Sequence, residues 1–149
     1  MEGDGPTIKL GVQLLAAAFT MLVMTLTHGL GLIGIAQAFK LDKERLVKHD
    51  LNVRAILLMC GIALSLFALH TIEIALFAAF YLIIGAMQTL EEALYYSASA
   101  YATLGRTAEY FPDEWRLVGA FEALIGFLLI GWSTAFMVRN VDQLRTTKD

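Results

Sequence analysis

The sequence predicts an all-α membrane protein: three transmembrane helices, with a re-entrant helix and loop between the second and the third. Three observations predict it. Of the 149 residues, 58% are hydrophobic, against about 45–50% in an average soluble domain, and the mean hydropathy is +0.64. The excess is gathered into three long runs nearly free of charge. Between the second and third runs lies a helix-friendly stretch too short to cross a bilayer.

The first run, Leu10–Phe39, contains no charged residue. At about 1.5 Å per residue it reaches about 45 Å, ample for a tilted span. Residues 40–54 follow with five Lys/Arg and three Asp/Glu and read as a short interfacial helix or turn. Residues 55–90 form the second run, interrupted only by His70 and Glu73. Residues 91–116 are the centre of the organisation. Their first part, 91–104, is small and aromatic, and would reach only about 21 Å against a hydrocarbon core of about 30 Å. It ends in Thr103-Leu104-Gly105 and turns polar through Pro112 and Asp113. Irregular backbone at that depth survives only where protein or a water-filled cavity satisfies it, which hints at a pore. Residues 117–138 are the third run, with Glu122 as its only charge before the polar tail, 139–149. The organisation is therefore an N-terminal span with its basic loop (1–54), a core of span, loop and span (55–139), and a tail (140–149).

Charge distribution orients the chain. Residues 40–54 and the tail hold eight of the eleven Lys/Arg, and the opposite side keeps Lys9, Arg106 and Arg116. The positive-inside rule then puts the N-terminus outside, the first loop inside, residues 91–116 outside and the C-terminus in the cytoplasm. The acidic, glycine-rich start gives no expectation of a cleaved signal. Cys60 stands alone inside an apolar run, so no intrachain disulfide can form and a small buried hydrophobe is expected. Gly29-Leu30-Gly31-Leu32-Ile33-Gly34 has the spacing of a dinucleotide fingerprint but lies within a span, where close helix packing is the expected role.

Ala93-Leu94-Tyr95-Tyr96-Ser97, Thr103-Leu104-Gly105, Glu114-Trp115-Arg116-Leu117 and Gly126-Phe127-Leu128-Leu129 resemble the pore region of the potassium-channel superfamily, most nearly the small bacterial ion-channel-domain proteins with one pore loop per chain. His70-Thr71-Ile72-Glu73 and Gly131-Trp132-Ser133-Thr134-Ala135-Phe136 extend the likeness over residues 69–138. The resemblance implies an outer helix, pore helix, filter and inner helix, assembled as a homotetramer in a bacterial inner membrane. The first span would be an extra peripheral helix. Permeant monovalent ions would be the only ligands; no cofactor, nucleic acid or catalysis is implied. The family filter reads Thr-Val/Leu-Gly-Tyr-Gly-Asp. Thr103, Leu104 and Gly105 match it, whereas Arg106, Thr107 and Ala108 replace the last three.

By this resemblance residues 103–107 are the filter. Carbonyls of residues 103–105 would replace ion hydration, and Thr103 would add a hydroxyl ring; ending the pore helix is the plainer role for Thr103. Arg106 has two options. Facing the axis, four guanidinium groups about 6 Å apart would repel by about 3 kcal/mol per neighbouring pair at an effective dielectric near 20, favouring anions. Turned outward, Arg106 could be neutralised by Glu109, Glu92 or Glu122, leaving a short, wide cation pathway. Glu122 could otherwise support the filter backbone, pair with Arg116, or sit neutral in the span. Tyr95, Tyr96 and Tyr101 are expected to pack between pore and inner helices. Leu124, Phe127, Leu128, Gly131 and Ala135 form a candidate pore-lining or gating stripe, with Gly126 and Gly131 as bending or packing glycines.

His70 and Glu73 share one helix face. They could clamp a neighbouring helix or bind a proton or metal, and His28 could join them; two ligands at that spacing do not define a metal site, and none is expected. The leading expectation is a cation channel with weak potassium-over-sodium selectivity. Its alternatives are a non-conducting pseudo-channel with a structural or sensing role, an anion-permeable pore through an Arg106 ring, and a membrane electron carrier or metal-binding subunit using His28 and His70.

Overall fold

A computed structural model describes residues 6–46, 53–105 and 113–145. Among these the fold is all helical and contains no strand: α1 (Pro6–Leu46), α2 (Val53–Ile83), α3 (Leu90–Tyr101) and α4 (Arg116–Arg145), with a 3₁₀ turn at Asp113–Trp115 leading into α4. Three segments are long and apolar enough to cross a membrane: Leu10–Phe39, Ile56–Ile83 and Arg116–Asp142. The first has the boundaries expected from its lack of charge, and α1 then continues as helix into the charged segment through Leu46.

The second run ends earlier than its hydropathy suggests, at Ile83. Gly85 stops it, at φ +70°. The Gly85 N–H donates to the Leu82 carbonyl (3.2 Å) and the Ala86 N–H to the Tyr81 carbonyl (2.9 Å). This paired closure of a helix end is a Schellman motif, which needs a left-handed residue after the last turn and so favours glycine. The chain then reverses into α3 through a capping box. The Thr89 hydroxyl accepts from the Glu92 N–H (3.2 Å), and the Glu92 carboxylate accepts from the Thr89 N–H (3.3 Å). Glu91 and Glu92 in the first turn suit the positive end of the helix dipole.

Side-chain contacts set the relative directions. Gln13 Oε1 accepts from the Leu117 N–H (2.9 Å), and His28 meets Ser133 and Trp132, so α1 runs parallel to α4. Glu73 meets His28, and a Cβ on Gly31 would collide with Leu69, so α1 and α2 are antiparallel. Gly31 therefore has the packing role expected of it, while Gly34 faces open space within the chain.

α3 is wedged between α2 and α4. Phe77, Ala78, Tyr81, Ala93, Tyr96, Ala100, Tyr101, Val118 and Ile125 close around it as one core. A second, smaller core joins Leu32 to Leu58, Ile62, Leu66 and Leu69. Tyr96 and Tyr101 are buried as expected, but Tyr95 is 67% exposed on the outer face of α3. Cys60 is exposed on α2 rather than buried; the helical period turns it away from Ile62 and Leu66, which face α1.

Gly126 is a close-approach glycine. A Cβ there would lie 2.5 Å from the Tyr101 carbonyl oxygen and 2.9 Å from its Cα, whereas nothing lies within 4 Å of a Cβ on Gly131. Gly126→Ala should therefore cost about 1–3 kcal/mol through overpacking. Gly131→Ala should be neutral, or stabilising by up to about 1 kcal/mol from helix propensity. Thermal melts of the two variants in detergent check this; equal melting temperatures would contradict the wedged position of α3.

Candidate functional site

The site is built where α3 stops. α3 is closed by the same motif as α2: the Thr103 N–H donates to the Ala100 carbonyl (2.9 Å) and the Leu104 N–H to the Ser99 carbonyl (2.9 Å). Here the left-handed position is occupied by Thr103, at φ 57°. A β-branched residue in that region is a genuine outlier and stores strain of about 1–2 kcal/mol. Thr103 thus does end the helix, in a conformation that glycine would adopt freely. Gly105 follows, also left-handed, at φ 68°. Residues 103–105 are exposed on the chain, Leu104 at 67%.

The end of α3 stands halfway along the bundle. Its last residue, Tyr101, donates its hydroxyl to Glu73 Oε2 (2.5 Å) and meets His70 Nδ1 at 2.8 Å. His70 and Glu73 lie at the middle of the Ile56–Ile83 span. The same carboxylate collects two imidazoles: His28 Nδ1 lies 2.8 Å from Oε1 and His70 Nδ1 lies 3.0 Å from Oε2. The second ring nitrogen of His28 faces Ser133 Oγ at 3.4 Å. His28 and Glu73 are fully buried, and His70 is 17% exposed. One carboxylate therefore joins α1, α2 and α3, and His28 carries the connection to α4. His28 joins the pair expected on one face of α2, and within the chain its helix packs against α2 and α4.

A second buried carboxyl lies nearer the start of α3. Glu122 accepts from the Tyr81 hydroxyl at Oε2 (2.5 Å) and from the Ser97 hydroxyl at Oε1 (2.6 Å). Ser97 Oγ also lies 3.0 Å from the Ile74 carbonyl. Glu122 thus ties α4 to α2 and α3 through hydroxyl groups. Among the described residues every buried side-chain polar atom has a hydrogen-bond partner, as buried polar groups in a low-dielectric interior require.

The remaining expected residues fall into three sets. Glu92 serves the capping box at the opposite end of α3 from Thr103. Leu124, Phe127, Leu128, Gly131 and Ala135 lie on the exposed face of α4, opposite buried Glu122, Ile125, Gly126 and Ser133. Arg106, Thr107, Ala108 and Glu109 lie outside the described residues. Tyr81, Ser97 and Ser133 were not among the expected site residues. Ser97 and Tyr81 could have been found as hydroxyl donors near the depth of Glu122, but loop geometry, not spacing, brings them to it.

No family model, characterised protein or solved structure matches this chain. His28 and His70 meet on one carboxylate, with ring centroids 5.4 Å apart and a tilt of 32°.

The strain at Thr103 is measurable. Thr103→Gly should raise stability by roughly 0.5–1 kcal/mol, the relief of the left-handed conformation less the greater chain entropy of glycine. Thr103→Val keeps the strain and should give no increase. Chemical denaturation or thermal melting in detergent distinguishes them; a Thr103→Gly protein less stable than wild type would contradict the helix-end geometry.

Proposed function

We propose that the chain is one subunit of a tetrameric ion channel of potassium-channel architecture, conducting cations with weak discrimination between potassium and sodium. The observation that carries this reading is the exposed, non-helical backbone of residues 103–105 at the end of a helix that stops midway along the bundle. Such backbone cannot face lipid and must meet other protein or water. Four copies around an axis supply both, with the Thr103–Gly105 carbonyls around the ion path and the Thr103 hydroxyls at the cavity end. The carbonyl end of α3, which carries the negative pole of its dipole, would point toward that axis and favour a cation there.

The exposed stripe on α4 supports the same arrangement. Phe127 and Leu128, at 64% and 51% exposure in the single chain, would line the inner cavity, with a dewetting constriction as the gate. Leu124, Gly131 and Ala135 would complete the lining. Weak selectivity follows from the filter sequence. Arg106 and Thr107 stand where the resembled filter has Tyr and Gly, and Ala108 removes the carboxylate behind it, so the outer ion sites lose their ordinary construction. Arg106 turns outward toward acidic partners in this reading. The membrane is a bacterial inner membrane, with the N-terminus outside and the C-terminus in the cytoplasm.

Native mass measurement in detergent should give four chains per particle, and reconstituted protein should carry cation current. Reversal potentials should lie near zero in opposed potassium and sodium gradients. Strong potassium selectivity would overturn the lost-site argument, and a reversal following chloride would put the Arg106 ring on the axis. Tetramers without flux would give the assembly a sensing rather than a conducting role, and a stable monomer would overturn the reading.

A further inference from the structure

We propose that His28, His70, Glu73 and Tyr101 form an intramembrane binding site for a divalent transition-metal ion of the zinc type, one per chain. This inference is independent of conduction. His28 Nδ1, His70 Nδ1 and a Glu73 carboxylate oxygen all lie within 4.8 Å of one another, and the Tyr101 hydroxyl lies 2.8 Å from His70 Nδ1 and 2.5 Å from Glu73 Oε2. Zinc bonds imidazole nitrogen and carboxylate oxygen at about 2.0–2.2 Å, so neighbouring donors in a tetrahedron stand about 3.3 Å apart. Small side-chain adjustments bring these four to that spacing.

Several features distinguish the cluster from an ordinary polar clamp. Glu73 Oε2, His70 Nδ1 and the Tyr101 hydroxyl form a closed triangle with edges of 2.5, 2.8 and 3.0 Å. At most two hydrogens, one on the Tyr101 oxygen and one on His70 Nδ1, serve the three edges, so one edge brings polar atoms together with no hydrogen between them. A cation among the donors satisfies all three at once without any hydrogen between them. Both histidines also present the same nitrogen, Nδ1, to the one carboxylate. His28 is held in that orientation from behind: its Nε2 faces Ser133 Oγ at 3.4 Å, and the Trp132 ring packs against it with centroids 5.4 Å apart. An outer partner that fixes a ligating imidazole is the usual support of a metal ligand.

The electrostatics agree. Glu73 supplies one negative charge in a fully buried position, and the carbonyl end of α3 adds partial negative charge where Tyr101 ends the helix. Two imidazoles, a carboxylate and a phenol are a nitrogen–oxygen set that suits zinc and its neighbours better than calcium or magnesium, which prefer oxygen alone. His70, the one histidine of the two with partial exposure, gives the ion its approach. The four ligands come from three helices, so the bound ion would fix the end of α3 to α1 and α2.

The test is equilibrium dialysis of the full chain in detergent micelles against Zn²⁺ after stripping with a chelator, with Co²⁺ as the spectroscopic probe. The expected result is one Zn²⁺ per chain and visible Co²⁺ absorption of a four-coordinate nitrogen–oxygen site. His28→Asn and His70→Asn should abolish the site. Ser133→Ala keeps all four donors, and should keep the fold, yet should weaken Zn²⁺ binding by about 10–100-fold. Tyr101→Phe should alter the Co²⁺ spectrum. Failure of the wild-type protein to bind Zn²⁺ above background overturns the proposal. So does binding whose stoichiometry and affinity are the same in His28→Asn, His70→Asn and Ser133→Ala, which would assign the ion to surface groups.

Discussion

A carboxylate buried in an apolar bundle is expensive unless its oxygens are fully occupied, and Glu73 is occupied from three directions. His28 reaches it from α1, His70 from its own helix, and Tyr101 from the last turn of α3. Removing any one partner leaves the others with an unsatisfied polar group, at a cost of about 1–3 kcal/mol. The constraint is therefore cooperative. It also fixes a depth, because α3 must be as long as the distance from the α2–α3 turn to the middle of α2. Its twelve residues meet that requirement and no more.

The rest of the molecule follows from holding α3 there. Glu122, with Tyr81, holds α3 at Ser97, one turn before its end, and the Glu73 cluster secures the end itself. Gly126 lets α4 approach the Tyr101 backbone closely. The helix then has to stop, and Thr103 stops it in a conformation its side chain resists. Strain held in place by surrounding structure is characteristic of functional positions, and here it falls on the first residue of the proposed ion path. The exposed backbone beyond it is the reason the chain is read as part of a larger assembly rather than as a self-sufficient bundle.

Much of this could be read from residues alone, and the limits are physical. Charge-free runs located the spans, since bilayer thickness and the cost of charge allow few alternatives. The end of α2 was overrun because hydropathy continues past Ile83; the signal was Gly85, followed by the Thr-x-x-Glu capping pattern at Thr89 and Glu92. The pairing of His70 with Glu73 was visible from helical spacing. His28 could be offered only as a possible partner, because sequence gives depth in a span but not which face turns toward which neighbour. Tyr101 was read as packing, and it packs, but its hydroxyl reaches the cluster only through the fold. The surroundings of Glu122 are less legible still: filter backbone, an arginine or a neutral state are the alternatives its sequence position offers, and the hydroxyl groups of Tyr81 and Ser97 are what meet it.

One buried carboxylate gathers three helices and holds the end of α3 at mid-bundle. Magic-angle-spinning NMR of the protein in bilayers, with ¹³C in glutamate and tyrosine and ¹⁵N in histidine, tests it most directly. Through-space correlations are expected from the Glu73 carboxyl carbon to Nδ1 of both His28 and His70, and from the Tyr101 ζ carbon to Nδ1 of His70. Correlations between Glu73 and His70 alone, which helical spacing would give in any fold, with none to His28 or Tyr101, would contradict it.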